Sequence, residues 1–308
     1  VVIETVRGGG SGGSGAAAGS NGNGNGNGED ANSDVVRTDL DALRAKIDEL
    51  GSDKVLCVLS TTSCFAPRAR DDVEAIARIC KETGVGHVIN NAYGLIDSKC
   101  CHAVNQACRV GRVDAFVQST DKNLMVPVGG AIVAGPDKKF IARIGQNYPG
   151  RASMSPILDL FVTFLEMGAP GWKQALQARA ASVPVLIEAL RTVAEKHGER
   201  LLQTSKANNI SFAVTLSQVH DPTEVGAWLF KRGVSGARVV APGARKTIEE
   251  TDFEHWGASL GTDGVGGAGE GYPVAYMTFA ASMGMDAAED VPRLCAKLDA
   301  ALTKFVVV

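Results

Sequence analysis

The sequence predicts an α/β fold with a mostly parallel central sheet, chiefly because strand and helix patterns alternate along it. Short apolar runs at 55–60, 87–90 and 113–118 predict strands, and periodic segments at 70–84 and 97–110 predict helices between them. This order is typical of parallel strands joined by right-handed crossovers. The chain has 308 residues, of which 45% are hydrophobic and 21% are charged, enough for one large or two ordinary domains.

The N-terminal part combines a strand with a low-complexity segment. VVIETV at 1–6 predicts a short strand, and residues 8–34 are rich in Gly, Ser and Asn. Such a segment buries too little apolar area to offset its chain entropy, so we expect a disordered insert, with an interdomain tether as the alternative. Thr38 and Asp41 resemble a capping box, and a helix follows with an apolar stripe at Leu40, Leu43, Ile47 and Leu50.

The rest of the chain mixes fewer strands with longer helices. Further strands are predicted at 129–135, 209–216 and 237–241, and helices at 137–146, 154–168, 172–198, 222–232 and 291–305; the apolar segment 272–282 precedes the last helix. We therefore predict a large domain over residues 1–170, which includes the insert, and a smaller α+β domain over residues 171–308.

Composition narrows the classes of function. A net charge of −3 argues against a generally basic nucleic-acid coat, and no apolar run is long enough for a membrane span. The seven cysteines include no C-x-x-C pair, and the five histidines lack ligand spacing relative to them. We expect reduced thiols, no metal site and a cytoplasmic location.

Polar segments follow the three parallel strands, where α/β proteins bind ligands. One of them, STDKN, contains Lys122. Its position alone suits a solvated turn lysine, whereas a partly desolvated strand end suits a lysine that forms a Schiff base with pyridoxal phosphate. The preceding segment offers Asn90 for the ring nitrogen of such a cofactor and Ala92 for its ring face. Both interpretations stay open on these residues alone.

Long strings resemble the family of O-phosphoseryl-tRNA:selenocysteinyl-tRNA synthases, the selenium transferases of eukaryotes and archaea. They are STTSCFAPR, NNAYG, DAFVQSTDKNLMVPVGGAIVAGP, YPGRASMSP, FKRGVSGARVV and YPVAYMTFAASMGM. The resemblance covers nearly everything except residues 8–34.

The resemblance implies the type I fold of pyridoxal phosphate enzymes. It also implies conversion of O-phosphoseryl-tRNA(Sec) to selenocysteinyl-tRNA(Sec) with selenophosphate, by β-elimination of phosphate and addition of selenium. Lys122 would carry the cofactor and act on the substrate Cα proton. Asn90 would face the pyridine nitrogen, and Ala92 would pack on the ring. Arg151 would contribute to anion binding.

A basic stretch matches the family's contact with tRNA. By resemblance, Arg232 would contact the acceptor end at the discriminator base, beside Lys231. No acidic residue lies between 231 and 246, a stretch that also holds Arg238, Arg245 and Lys246. An ordinary basic surface is the alternative to a tRNA-binding surface.

The sequence differs from the family pattern at the N-terminus. Family members carry a long N-terminal part before the strand that resembles VVIETV, so we expect an N-terminally truncated chain. The resemblance also implies a homotetramer built from dimers.

Two functions remain as alternatives to the selenium transferase. The first is that of another type I enzyme, such as a selenocysteine lyase or desulfurase-like protein, and the second is that of a non-catalytic tRNA-binding subunit. Thr120 and Asp121 before Lys122 disfavour the first, because those enzymes usually place a histidine there.

Overall fold

The computed structural model describes residues 5–7, 34–62, 65–151, 153–202, 208–241, 246–248, 251–253, 259–260 and 270–306. The first half of the chain contains β1 (Thr5–Arg7), β2 (Val36–Thr38), α1 (Leu40–Leu50), β3 (Cys57–Thr61), α2 (Val73–Thr83), β4 (Gly86–Asn90), α3 (Ser98–Val110), β5 (Ala115–Ser119), α4 (Thr120–Leu124), β6 (Ala131–Ala134) and α5 (Lys138–Asn147). The second half contains α6 (Ser155–Lys196), β7 (Leu201–Leu202), β8 (Ser211–Thr215), α7 (Pro222–Phe230), β9 (Arg238–Val240), β10 (Lys246–Ile248), β11 (Thr251–Phe253), β12 (Ser259–Leu260), β13 (Glu270–Gly271), β14 (Tyr276–Ala280) and α8 (Asp290–Phe305).

Four strands of the first half form the central sheet, in the order β3-β4-β5-β6. β3, β4 and β5 run parallel, with α2 and α3 as their connections. The predicted α/β class with a mostly parallel sheet is therefore confirmed. β6 runs antiparallel to β5. The connection between them contains only the five-residue helix α4, and a parallel crossover needs a dozen residues or more.

Within the described residues, the central sheet is well covered on one face only. α2 and α3 pack on the face that carries Ile89 and Phe116. On the opposite face, Leu59 of β3 is 66% exposed and Val133 of β6 is 41% exposed. The prediction of a buried strand at 55–60 is therefore wrong for its outward side, because an apolar run does not reveal which neighbours cover each face.

Aspartates cap the N-termini of several helices. At α1 the Asp39 carboxylate accepts hydrogen bonds from the backbone nitrogens of Asp41 and Ala42, at 3.0 and 2.9 Å. The expected cap at Thr38 is wrong by one residue, since Thr38 ends β2 and donates its hydroxyl to Asp71 at 2.6 Å. The same capping interaction begins α2, α3, α5 and α7, at Asp72, Asp97, Asp137 and Asp221.

The two helices predicted at 154–168 and 172–198 follow one another within α6, where the non-helical backbone of Gly168 separates them. The φ of Gly168 is 57° and its ψ is −178°, a combination that side chains other than glycine rarely adopt. The predicted boundary between residues 170 and 171 falls just after this break, and the division into two domains stays a prediction. Although α6 spans 42 residues, no helix in the described part of the chain is apolar enough over sufficient length to cross a membrane.

The second half is built on an antiparallel sheet in the order β7-β8-β14-β9. The C-terminal part of α6 packs on it with α7 and α8, and the fully buried side chains of this core include Leu186, Leu190, Val214, Leu229, Met277, Leu298 and Leu302. The pairs β1–β2, β10–β11 and β12–β13 are antiparallel as well. The local order of strands and helices here agrees with the predicted α+β character.

A buried arginine joins the two sheets. Arg179 of α6 is 3% exposed, and its guanidinium donates to three backbone carbonyls. Nε donates to Ala281 at 3.0 Å, Nη1 to Ile96 at 3.5 Å, and Nη2 to Asn209. Burial lowers the pKa of Arg179, against the effect of the Asp97 charge. These carbonyls come from the loop after β4, the segment before β8 and the end of β14, so one side chain fixes three loops relative to each other.

Asp34 belongs to the folded part of the chain, although we expected it at the end of the insert. It is 6% exposed, its carboxylate accepts from both terminal nitrogens of Arg200, and its carbonyl accepts from the Tyr272 hydroxyl at 3.1 Å. The remainder of the predicted insert, 8–33, lies outside the described residues. So does the start of the predicted strand at 1–6, of which the structure describes only residues 5 and 6, within β1.

Candidate active site

A cavity of about 190 Å³ lies where the parallel strands end. Because β3, β4 and β5 are parallel, the loops that follow them meet at the same edge of the sheet. The lining comes from two of these loops and from the second half of the chain, and consists of Tyr93, Ile96, Asp121, Lys122, Met125, Ile210 and Ala280–Met283. In the third loop, Ser63 and Cys64 lie outside the described residues, while Phe65 contacts the Tyr93 ring edge-on, with centroids 5.7 Å apart.

Lys122 lies in the short helix α4, where the sequence suggested a polar turn. Its side chain is 34% exposed and lines the cavity. Nζ lies 5.5 Å from the centroid of the Tyr93 ring and donates a hydrogen bond to Ser119 Oγ at 3.2 Å. A cationic side chain that is held by a ring and a hydroxyl at a strand end differs from a freely solvated turn lysine.

Asp121 is a neighbour of Lys122 whose role the spacing of residues did not predict. Its Oδ2 lies 3.5 Å from Lys122 Nζ, and its Oδ1 accepts a hydrogen bond from the Ser119 hydroxyl. Burial pushes the pKa of Asp121 upwards, but the Ser119 hydrogen bond and the Lys122 charge outweigh it and leave the pKa below its usual value. The carboxylate is therefore ionised at neutral pH. The only signal in the sequence is that Ser119 and Asp121 closely precede Lys122 in STDKN.

Asn90 ends β4, Ala92 lies in the loop that follows, and hydrogen bonds connect this segment to α4. The Asn90 side-chain oxygen accepts from the Ala92 backbone nitrogen at 3.0 Å. The Ala92 carbonyl accepts from Asn123 Nδ2 at 2.6 Å, and the same Nδ2 donates to the Ser119 carbonyl at 2.6 Å. Neither Asn90 nor Ala92 is part of the cavity lining, but the fully buried Asn123 links their segment directly to the helix of Lys122.

His87 lies within β4 and does not line the cavity. It is fully buried, with Nε2 at 2.7 Å from Ser60 Oγ and Nδ1 at 3.0 Å from the Arg112 carbonyl. Burial lowers the pKa of His87 and keeps the ring neutral, although the Arg112 carbonyl opposes this effect. The Ser60–His87 pair resembles a nucleophile with its base, but both side chains are closed to solvent, as expected for a packed histidine.

A second feature lies at the end of α7, where basic and aromatic side chains meet. The Arg232 guanidinium stands 3.6 Å from the centroid of the Trp228 ring and donates to the Trp228 carbonyl at 3.3 Å. Lys231 is exposed beside it. Lys297 of α8 donates to the Arg232 carbonyl at 2.7 Å. Lys297 is distant in sequence, so no linear pattern could have placed it here.

The other predicted basic residues are dispersed. Arg238 is exposed, and its guanidinium lies 5.1 Å from the centroid of the Phe65 ring. Arg245 lies outside the described residues, as does the side chain of Lys246. Arg151 is exposed in the loop between α5 and α6 and does not line the cavity. The stretch from 231 to 246 is therefore not one continuous patch in the described part of the chain.

The similarity to known proteins is consistent along most of the chain. A model of the family described as O-phosphoseryl-tRNA(Sec) selenium transferase matches residues 28–303. The chain belongs to this selenium transferase family. One relative, the O-phosphoseryl-tRNA(Sec) selenium transferase of Dictyostelium discoideum, is 44% identical over 273 residues, which cover 82% of this chain and 55% of the relative. The chain thus spans about half the length of that curated relative.

Solved structures support the same assignment. An archaeal O-phosphoseryl-tRNA(Sec) selenium transferase matches with a TM-score of 0.74 and 29% identity, over 87% of this chain and 57% of the other. An Oryza sativa protein, TDC with PLP and tryptamine, matches with a TM-score of 0.58 and 13% identity, over 86% of this chain and 52% of the other. The second likeness concerns the fold alone. The expected type I fold is confirmed for this member of the selenium transferase family.

Proposed function

We propose that this chain contains the reactive lysine of an enzyme that converts O-phosphoseryl-tRNA(Sec) to selenocysteinyl-tRNA(Sec) with selenophosphate. The observation that carries the proposal is Lys122, which lines a cavity at the carboxyl ends of parallel strands in a chain of this family. In this reaction phosphate is eliminated from the phosphoseryl group, selenophosphate adds through selenium at the same carbon, and hydrolysis of the Se–P bond releases the second phosphate. Family membership favours this activity over that of a lyase or desulfurase-like enzyme.

Pyridoxal 5′-phosphate is the cofactor that this arrangement would accept. When bound, it supplies an electron sink that stabilises negative charge on the substrate Cα. Lys122 offers an amine inside the cavity for covalent attachment, Asn90 would meet the pyridine nitrogen, and Ala92 would pack on the ring. Lys122 is also the only cation in the described cavity lining, so the cofactor phosphate would need groups from outside that lining.

The chain's own residues would then act on protons and orientation. Once the substrate amine has taken its place, Lys122 is free to remove the Cα proton, which allows phosphate to leave. Asn90 is neutral, and the Ala92 backbone nitrogen occupies its side-chain oxygen, so its NH₂ group is the part available to donate. A neutral amide stabilises negative charge less than a carboxylate partner would, and elimination of a good leaving group needs only brief stabilisation.

The basic surface at the end of α7 would bind the acceptor arm of tRNA(Sec). Arg232 is stacked on Trp228, which holds its guanidinium in place before binding. Lys231 and Lys297 add positive charge beside it. Cationic side chains supply most of the affinity for a phosphate backbone, and a planar guanidinium can also read a base edge.

The remaining partners follow from family membership and from the exposed surface. Arg151 would bind anions, including selenophosphate.

The chain would assemble into a homotetramer built from dimers. Apolar side chains on the N-terminal part of α6 are exposed, among them Phe161 at 58% and Leu165 at 69%, which supports association between subunits. The six described cysteines are free thiols, which suits a cytoplasmic location.

A non-catalytic tRNA-binding subunit is the second candidate, and the cavity gives it some support. Apart from Lys122, the described lining offers no cation for a substrate or cofactor phosphate. In that case the surface around Arg232 would retain its role, while Lys122 would not react with the cofactor.

Covalent labelling of Lys122 separates the two candidates. The chain is incubated with pyridoxal 5′-phosphate, reduced with borohydride and digested, and the labelled lysine is identified by mass spectrometry. We expect Lys122 to carry the label, Lys122→Ala to lose at least nine-tenths of it, and Lys54→Ala, which removes an exposed lysine, to keep it. Equal labelling of the Lys122→Ala variant would contradict the catalytic proposal and favour the subunit.

A further inference from the structure

The side chains of Ser119, Asp121 and Lys122 form a small cluster in which each one contacts the other two. The Ser119 hydroxyl has one proton, which it donates to Asp121 Oδ1. Its oxygen therefore remains as the acceptor for Lys122 Nζ at 3.2 Å. The second Asp121 oxygen lies 3.5 Å from the same Nζ. Each polar group is thus oriented by the other two.

Two members of this cluster, Asp121 and Lys122, lie in the cavity wall. The Asp121 side chain is 18% exposed and the Lys122 side chain 34% exposed, and both line the cavity. The remaining lining residues carry no charge, and the Tyr93 ring faces Nζ from the loop after β4. Within the described lining, Asp121 is therefore the one carboxylate that faces the lysine.

We propose that Asp121, braced by Ser119, is a positioning residue that holds the Lys122 ammonium group in the cavity and so sets the pH at which its amine becomes free to react. This inference rests on the proposed function of Lys122. A carboxylate beside an amine favours the protonated form, and only the neutral amine attacks an aldehyde. Before the cofactor arrives, Asp121 would hold the Lys122 amine in place in the cavity.

The test measures how labelling of Lys122 depends on pH. The full chain and its variants are exposed to pyridoxal 5′-phosphate for a fixed short time between pH 6 and 10 and reduced, and the fraction of labelled Lys122 is quantified. We expect Asp121→Asn to move the half-labelling pH downwards by about one half to one unit, since the pair is only partly shielded from solvent. Asp121→Glu restores a carboxylate and should bring the midpoint back towards that of the parent.

Asp48→Asn is the matched control, because it removes one carboxylate from the exposed face of α1. It should leave the midpoint unchanged. Circular dichroism and gel filtration verify that each variant is folded, and the labelled fraction is compared only among folded proteins. A purely structural Asp121 would change the amount of folded protein without moving the midpoint.

The outcomes separate this inference from the proposed function. Labelling at Lys122 with the same midpoint in Asp121→Asn and the parent overturns the role of Asp121 and leaves the lysine assignment intact. A shift of equal size in Asp48→Asn also overturns it, because the effect would then come from net charge. Absence of label at Lys122 in the parent chain overturns the proposed function itself.

Discussion

The side chain of Lys122 is held by three different kinds of contact. Tyr93 faces the ammonium group with its ring, Ser119 accepts a hydrogen bond from it, and Asp121 supplies an opposite charge. None of these contacts is strong by itself at a partly exposed site. Together they restrict the positions that Nζ can take, which is what a reactive lysine needs before a cofactor arrives.

A residue-scale prediction concerns Arg232. Arg232→Ala should weaken binding of tRNA(Sec) about tenfold at fixed salt, and Arg232→Lys should weaken it by a smaller factor, because lysine keeps the charge but loses the planar stack on Trp228. Filter binding or fluorescence anisotropy with transcribed tRNA(Sec) measures both effects.

Arg191→Ala is the control for this experiment, since Arg191 is an exposed arginine on α6 that pairs with Glu188. It should bind RNA like the parent chain. If both alanine variants lose affinity equally, the effect is a general loss of charge and the surface around Arg232 has no special role.

Among the secondary-structure elements, α4 and α6 determine how the site is presented. α4 turns the end of β5 into one helical turn, which places Asp121 and Lys122 in the cavity wall while Asn123 and Leu124 are buried. α6 connects the exposed apolar segment near Phe161 to the buried segment that carries Arg179. The break at Gly168 lies between these two segments.

Gly168→Ala tests this break at the scale of the helix. We expect it to lower the free energy of unfolding by about 1 to 3 kcal/mol, because the backbone there is strained for any residue with a Cβ. An added Cβ would lie 3.5 Å from Pro170 Cδ, an ordinary contact, so the cost is conformational. Urea denaturation followed by circular dichroism gives the difference.

A second glycine provides the matched comparison. Gly145 lies inside α5, and an added Cβ there meets nothing within 4 Å. Gly145→Ala should raise stability by about 0.5 to 1 kcal/mol, because alanine is the better helix former. A loss of similar size in both variants would show that the backbone at Gly168 has no special requirement.

The whole molecule depends on contacts that cross between its two sheets. The Arg179 guanidinium holds carbonyls from three loops, and these loops contribute Ile96, Ile210 and Ala281 to the cavity lining. Asp34 and Arg200 join the segment before β2 to the second half in a similar way. Residues of both halves line the cavity, so its shape depends on the contacts that hold the halves together.

Arg179→Met tests this connection. It removes the donors and leaves buried carbonyls without partners, so we expect a loss of about 2 to 4 kcal/mol in the free energy of unfolding. Arg191→Met, on an exposed position of the same helix, should change stability by less than about 0.5 kcal/mol. Equal stability of the Arg179→Met variant and the parent would mean that losing a buried charge compensates for the lost hydrogen bonds.

The sequence by itself determined the alternation of strands and helices, the parallel pairing of the strands around 55–60, 87–90 and 113–118, and the place of Lys122 at a strand end. These features are local, since the period of apolar residues and the polar segment after each strand can be read within a few residues. The resemblance of long strings added the family, and it named Asn90 and Arg232 as site residues.

Only the tertiary structure decided which residues meet across the chain. Lys297 lies beside Arg232, Arg238 lies over Phe65, and Arg179 reaches three loops, because side chains far apart in sequence become neighbours only after the sheets pack. Burial differs for the same reason: Leu59 and His87 both lie in strand-forming runs, yet one is exposed and the other is enclosed. A strand pattern records alternation along the chain, whereas exposure depends on what covers each face.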